Sequence, residues 1–168
     1  VFIGLRFDES LMDSEFLSAP EELSKRLDDE LPRNIALVKR VTTDYRLKDN
    51  RCFAGWYLPV EIANYRDDAL QSERGWVRQL SRFTTKLVAA CKAEVEKPVA
   101  VSPFFTGHFN DIHGRSDLVA PDIMSKNYTE YLKGTGINIV MLQDNVGVSR
   151  IHADDVERYV RPYRLSVE

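Results

Sequence analysis

At 168 residues, 43% hydrophobic and 29% charged, the chain has the composition of one ordinary globular domain, long enough to bury roughly 70% of the surface its unfolded form exposes. A net charge of −3 offers no surplus of Lys and Arg to neutralise phosphates, which argues against a nucleic-acid partner. No apolar run approaches the roughly 20 residues that span a bilayer, and the two cysteines, Cys52 and Cys91, are too few for a disulfide framework, lack metal-ligand spacing and read as buried free thiols.

The first residue, Val1, already reads as the interior of a strand, so the sequence looks like an excerpt or a processed form, with any signal peptide upstream of it. Val1 to Phe7 is apolar and β-prone and runs into Asp8-Glu9-Ser10. Ser18 before Pro20-Glu21-Glu22 reads as an N-cap and first turn. Leu23, Leu27, Leu31, Ile35 and Val38 then recur at helical spacing, with Pro32 expected to bend the helix. After the turn at Lys48-Asp49-Asn50, Cys52 to Leu58 predicts a second strand, ended by Pro59 because proline lacks the N–H that a central strand donates.

A loop from Asn64 leads to a second helix with Trp76, Leu80, Phe83, Leu87, Ala90 and Cys91 on one face, stopped at Glu96-Lys97-Pro98. Val99 to Ser102 is a third strand closed by Pro103, and Phe104 to Arg115 a loop carrying Phe105, His108, Asn110, Asp111 and His113. Pro121-Asp122 opens a third helix that Gly134-Thr135-Gly136 ends, Ile137 to Leu142 is a fourth strand, and a fourth helix starts at His152. Strand and helix alternate four times, the pattern of a parallel sheet with right-handed crossovers, and the apolar strands predict cover on both faces. An eight-stranded (β/α)8 barrel of the TIM type takes about 250 residues, so residues 1–168 read as one partial barrel domain of about four β/α units.

In that arrangement every strand delivers polar groups at one end: Asp8, then Glu61 and Asn64, then Ser102 and the His108 loop, then Gln143 and Asp144. Two carboxylates across a barrel mouth suit glycoside hydrolysis, one protonating the leaving oxygen while the other attacks the sugar or activates water. Trp56, Tyr57, Phe104 and Phe105 are nearby aromatics that suit sugar stacking or, equally, the core. Glu61 also reads as a strand-end carboxylate accepting from loop amides, and Asp144 as a turn residue. His108, Asp111 and His113 match no established zinc spacing, so neither a metal nor a cofactor is expected, and Ser102 lacks the glycines of a nucleophile elbow.

Gly55-Trp56-Tyr57-Leu58-Pro59-Val60-Glu61-Ile62, Val101-Ser102-Pro103-Phe104-Phe105-Thr106-Gly107 and Leu142-Gln143-Asp144-Asn145-Val146-Gly147 together resemble a bacterial family of uncharacterised glycoside-hydrolase-like (β/α)8 barrels. The resemblance covers most of the chain and implies that it holds about the third to sixth strands. It departs from the family where Asn145 and Val146 separate Asp144 from Gly147. It implies a periplasmic or secreted protein acting on a glycan, with Glu61 as acid/base and Asp144 as nucleophile, base or orienting carboxylate. Asp8, Asn64, Trp56, Tyr57, Phe105, His108, Asn110 and Gln143 would bind the sugar. Two other readings share these residues: a carbohydrate-binding barrel without catalysis, and an assembly module that self-associates through unpaired barrel edges.

Overall fold

The computed structural model of the chain describes residues 1–12, 19–67, 75–105, 118–143 and 152–167. Along them run β1 (Phe2–Gly4), α1 (Pro20–Asp44), β2 (Gly55–Leu58), α2 (Trp76–Glu94), β3 (Val99–Val101), α3 (Pro121–Leu132), β4 (Ile139–Val140) and α4 (Val156–Val167). Short 3₁₀ turns, Glu9–Met12 and Ala153–Asp155, follow β1 and precede α4. The strands form one parallel sheet in chain order, β1-β2-β3-β4. Crossovers between adjacent parallel strands are as a rule right-handed, and crossovers of one hand in a steadily advancing strand order bring their helices to one face. Accordingly α1 packs on α2, α2 on α3 and α3 on α4 in a single layer.

Residue chemistry accounts for the start of α1 and for the turn after α3. α1 starts with Pro20 in its first turn followed by Glu21 and Glu22, where fixed φ and negative charge both suit a helix amino end. Its N-cap position is Ala19, which makes no side-chain cap; the expected Ser18 lies outside the described residues. Pro32 is exposed and inside α1, which continues to Asp44, so the lost backbone donor faces solvent. After α3, Gly134 and Gly136 take φ of +73° and +78°, the left-handed conformation that turns the chain back toward β4.

The core lies between sheet and helices. Cross-strand partners in a parallel sheet point the same way, so Ile3, Trp56 and Val99 form one row and Leu58, Val101 and Val140 the next. Trp56 is fully buried, edge-on to Phe53 at 4.9 Å, and its Nε1 donates to the Val95 carbonyl at the end of α2 (3.3 Å). Leu23, Leu27 and Val38 of α1 and Leu80, Phe83, Leu87 and Cys91 of α2 close over these rows, each apolar side chain contributing roughly 1.5–3 kcal/mol on burial.

The opposite face differs from the expectation of cover on both sides. Its row Gly4, Tyr57, Ala100 and Ile139 is only partly shielded by the described residues, and Phe2 and Met141 beside it are 37% and 43% exposed. The cysteines also divide: Cys91 is buried on α2 as expected, but Cys52 is exposed, because its backbone N–H donates to Asn50 Oδ1 in a surface turn that precedes β2.

Gly55 is the tightest point of the sheet. A Cβ there would lie 2.3 Å from the Pro98 carbonyl oxygen and 2.6 Å from the Phe2 ring, and β2 cannot draw away because Trp56 N donates to that same carbonyl (2.9 Å). Gly55→Ala is expected to cost about 2–3 kcal/mol, the upper range for overpacking, in urea denaturation; a loss within error would refute this packing. Stability is also expected to fall at high pH. Burial pushes the Cys91 thiol from 9.0 up to about 12 and raises Tyr131 and Tyr159 above their ordinary 10.0. Folding thus favours the protonated forms, and their contribution is complete below about pH 9 and is lost as pH climbs toward 12. Urea midpoints measured across that range should decline, with a later onset in Cys91→Ala.

Candidate functional site

The carboxyl ends of β2, β3 and β4 stay in register beyond their last ladder residues. Phe104 N donates to the Ile62 carbonyl (3.0 Å), Gln143 N donates to the Pro103 carbonyl (2.9 Å), and Phe104 and Gln143 form a parallel bridge. Alternation also persists: Trp56, Leu58, Val60 and Ile62 are buried, whereas Tyr57, Pro59 and Glu61 between them are half-buried. Period-2 geometry therefore puts Tyr57 and Glu61 together on the face away from the helices.

Gln143 links three strands there. Its Nε2 donates to the Ser102 carbonyl (3.0 Å) and to Glu61 Oε1 (3.3 Å). Both partners only accept, so the amide nitrogen must face them; the flipped amide would set oxygen against two oxygens. Ser102 Oγ donates to the Met141 carbonyl (3.0 Å). Tyr57 has its pKa raised, first by burial and also by the negative charge of Glu61; the Ser102 hydroxyl, which can turn to donate to the phenolate, opposes the rise.

Of the residues predicted from sequence, Glu61, Gln143 and Tyr57 are thus brought together. Ser102, read in the sequence as one of the strand-end polar groups and as lacking a nucleophile elbow, joins the cluster through its carbonyl, which accepts from Gln143, and its hydroxyl, which donates to Met141; its parity with Ala100, which pairs with Tyr57, was the signal for this. Three predicted sugar-binding residues are corrected by burial. Trp56 is enclosed beneath the helices. Phe105 is 1% exposed and packs against Tyr159 of α4, with ring centroids 4.9 Å apart. Asn64 is fully buried and pins two loops, its Nδ2 donating to the Val119 carbonyl (3.0 Å) and its carbonyl accepting from Val119 N (2.9 Å). Stacking or hydroxyl recognition needs an accessible surface, which none of the three presents.

Asp8 is engaged locally. Its Oδ1 accepts from the N–H (3.1 Å) and hydroxyl (2.7 Å) of Ser10, and Arg26 of α1 approaches within 4.0 Å. The Ser10 hydroxyl bond is the main reason that its pKa is lowered. Asp144, His108 and Asn110 lie outside the described residues, as do Asp111 and His113.

The model of a family described as a domain of unknown function, DUF4434, matches residues 1–166. The backbone is similar to the crystal structure of a putative alpha-L-fucosidase from Bacteroides thetaiotaomicron VPI-5482, with a TM-score of 0.58 and 18% sequence identity. That match covers 82% of this chain and 40% of the other, so the chain spans well under half the length of that protein. The likeness is one of fold. No curated protein sequence matches.

If Glu61 faces Tyr57 as described, Glu61→Gln should lower the Tyr57 titration midpoint, because one of the charges holding the phenol protonated is gone. NMR of 13Cζ-labelled tyrosine reads this directly, and an unmoved midpoint would separate the two residues.

Proposed function

The chain belongs to the DUF4434 family, and we propose that its four β/α units form part of a (β/α)8 barrel that hydrolyses glycosidic bonds, with Glu61 as the general acid/base. The observation that carries this reading is the Gln143-held carboxylate of Glu61 at the carboxyl ends of consecutive parallel strands, on the face away from the helices. In β/α barrels that end of the sheet hosts the chemistry, and the helix-free face is the interior. A single helical layer and consecutive strand order support the barrel reading, since a doubly wound sheet reverses its order and takes helices on both faces. Further strands completing the barrel would cover Phe2 and Met141.

In this mechanism Glu61 protonates the glycosidic oxygen as the bond breaks, while a second carboxylate attacks the anomeric carbon or activates water. Asp144, which follows Gln143 directly, is our proposed second carboxylate, with His108 and Asn110 on sugar hydroxyls. A separation near 5 Å between the two carboxylates would give retention of configuration, and a wider one inversion. The fold neighbour's name makes an α-L-fucoside a sensible first substrate. A non-catalytic carbohydrate-binding barrel is the second reading, favoured by the engagement of Asp8 with Ser10 and Arg26 rather than with a reacting centre.

The full-length protein, given a broad panel of glycosides that includes aryl α-L-fucosides, should release product. Glu61→Gln should lower the rate by roughly 10²–10⁴-fold, the usual worth of a general acid or base, with the circular dichroism spectrum unchanged. Turnover that survives in Glu61→Gln would discard the assignment. Ligand binding without product on prolonged incubation would move the choice to the second reading.

A further inference from the structure

Gln143 is anchored independently of Glu61. Its backbone N–H donates to the Pro103 carbonyl (2.9 Å), and Met141 N, two residues earlier, donates to the Val101 carbonyl (2.8 Å), so the two segments are tied on both sides of Ser102. Ser102 Oγ adds a third bond, to the Met141 carbonyl (3.0 Å). The Ser102 carbonyl can only accept, whatever the state of Glu61, so the atom of Gln143 that lies 3.0 Å from it is the amide nitrogen. That nitrogen has two protons. One goes to Ser102, and the other is directed at Glu61 Oε1 (3.3 Å).

The consequence falls on Glu61 when it is protonated. A carboxyl proton on Oε1 would confront the amide N–H, donor against donor, whereas on Oε2 it leaves Oε1 free to accept. We infer that Gln143 is a positioning residue that confines the acid proton of Glu61 to Oε2 and tightens its bond to Oε1 as that proton departs; this rests on the hydrolase reading above and deepens it. In the bond-breaking step the Oε2–H bond breaks and its electron pair stays on Glu61. The proton joins the glycosidic oxygen, which takes the electron pair of the C–O bond and leaves as an alcohol. The anomeric carbon takes its new bond from the second carboxylate or from water. Glu61 thereby passes from neutral to negative while the Gln143 N–H stays on Oε1. A hydrogen bond to a carboxylate is stronger than one to a neutral carboxyl, so Gln143 favours the transition state over the bound substrate. The amide need not move to do so, because the Ser102 carbonyl already holds it.

The experiment compares leaving groups, with the full-length protein acting on methyl and 2,4-dinitrophenyl glycosides of the same sugars, α-L-fucosides among them. Methanol needs a proton in order to leave, and dinitrophenolate does not. Gln143→Met keeps the side chain's length and removes both donors. It should lower kcat/KM for methyl glycosides by roughly 10–100-fold, the worth of one hydrogen bond to a charged group, and for dinitrophenyl glycosides by less than about threefold. Glu61→Gln should show the same split more strongly, and adding Gln143→Met to it should cost little more, because Gln143 acts through Glu61. Damage to the fold slows both substrates alike and cannot imitate the split. With Gln143 intact, 15N-glutamine NMR gives an independent reading: Glu61→Ala should shift one of the two Nε2 protons and leave the other, on Ser102, in place. Equal losses for both leaving groups in a folded Gln143→Met overturn the inference and leave the hydrolase reading standing. So do two Gln143 protons indifferent to Glu61→Ala. Turnover of neither kind of glycoside removes the hydrolase reading, and the inference with it.

Discussion

The alternation of side chains along β2 is the constraint on which the rest depends. Successive residues of an extended strand point to opposite faces. Once Trp56 and Leu58 are drawn under α1 and α2 by their apolar surface, Tyr57 and Glu61 have no choice but the other side. The helical layer therefore orients the polar cluster without touching it. A slip of one residue would bury a carboxylate in the core and expose an indole, so hydrophobic burial enforces the register that the site requires.

Two prolines help to turn register into a site. Pro59 and Pro103 withhold backbone donors just where the ladders end, yet their segments remain close enough for Phe104 and Gln143 to donate to the carbonyls of neighbouring segments. The result is a short stretch where backbone order outlasts the strands proper. Gln143 exploits it: one amide nitrogen reaches the backbone of β3's extension and a side chain from β2's. Positions far apart in the sequence are held by a bond pattern that only parallel, adjacent strands provide.

Much of the architecture was legible in the sequence because apolar spacing is a local property. The faces of α1 and α2 were read from Leu23, Leu27, Leu31, Ile35 and Val38 and from Trp76, Leu80, Phe83, Leu87, Ala90 and Cys91, all of which are buried except Leu31, Ile35 and Ala90, which are half-buried. Glu61, Tyr57 and Gln143 were picked out because each lies on or next to a strand end. What failed depended on contacts made at long range. Phe105 is covered by Tyr159, a residue of α4, and no local pattern announces that. Asn64 has the composition of a sugar ligand and the surroundings of a loop clamp; only Val119, far along the chain, distinguishes them. Trp56 and Tyr57 looked alike as aromatics, and periodicity separated them into two faces without saying which face the helices take.

The unequal cysteines give the molecule one chemical handle. The nucleophile in thiol alkylation is the thiolate, and Cys91 is both enclosed and, with its thiol pushed up to about 12, protonated at neutral pH. Cys52 is open to solvent in the turn before β2, whereas Glu61 follows that strand's other end. A maleimide dye would therefore attach at a single position, with the length of β2 between fluorophore and candidate site. Residues 1–168 can thus be tagged for anisotropy or tethered to a surface through Cys52 alone, at the end of β2 away from Glu61.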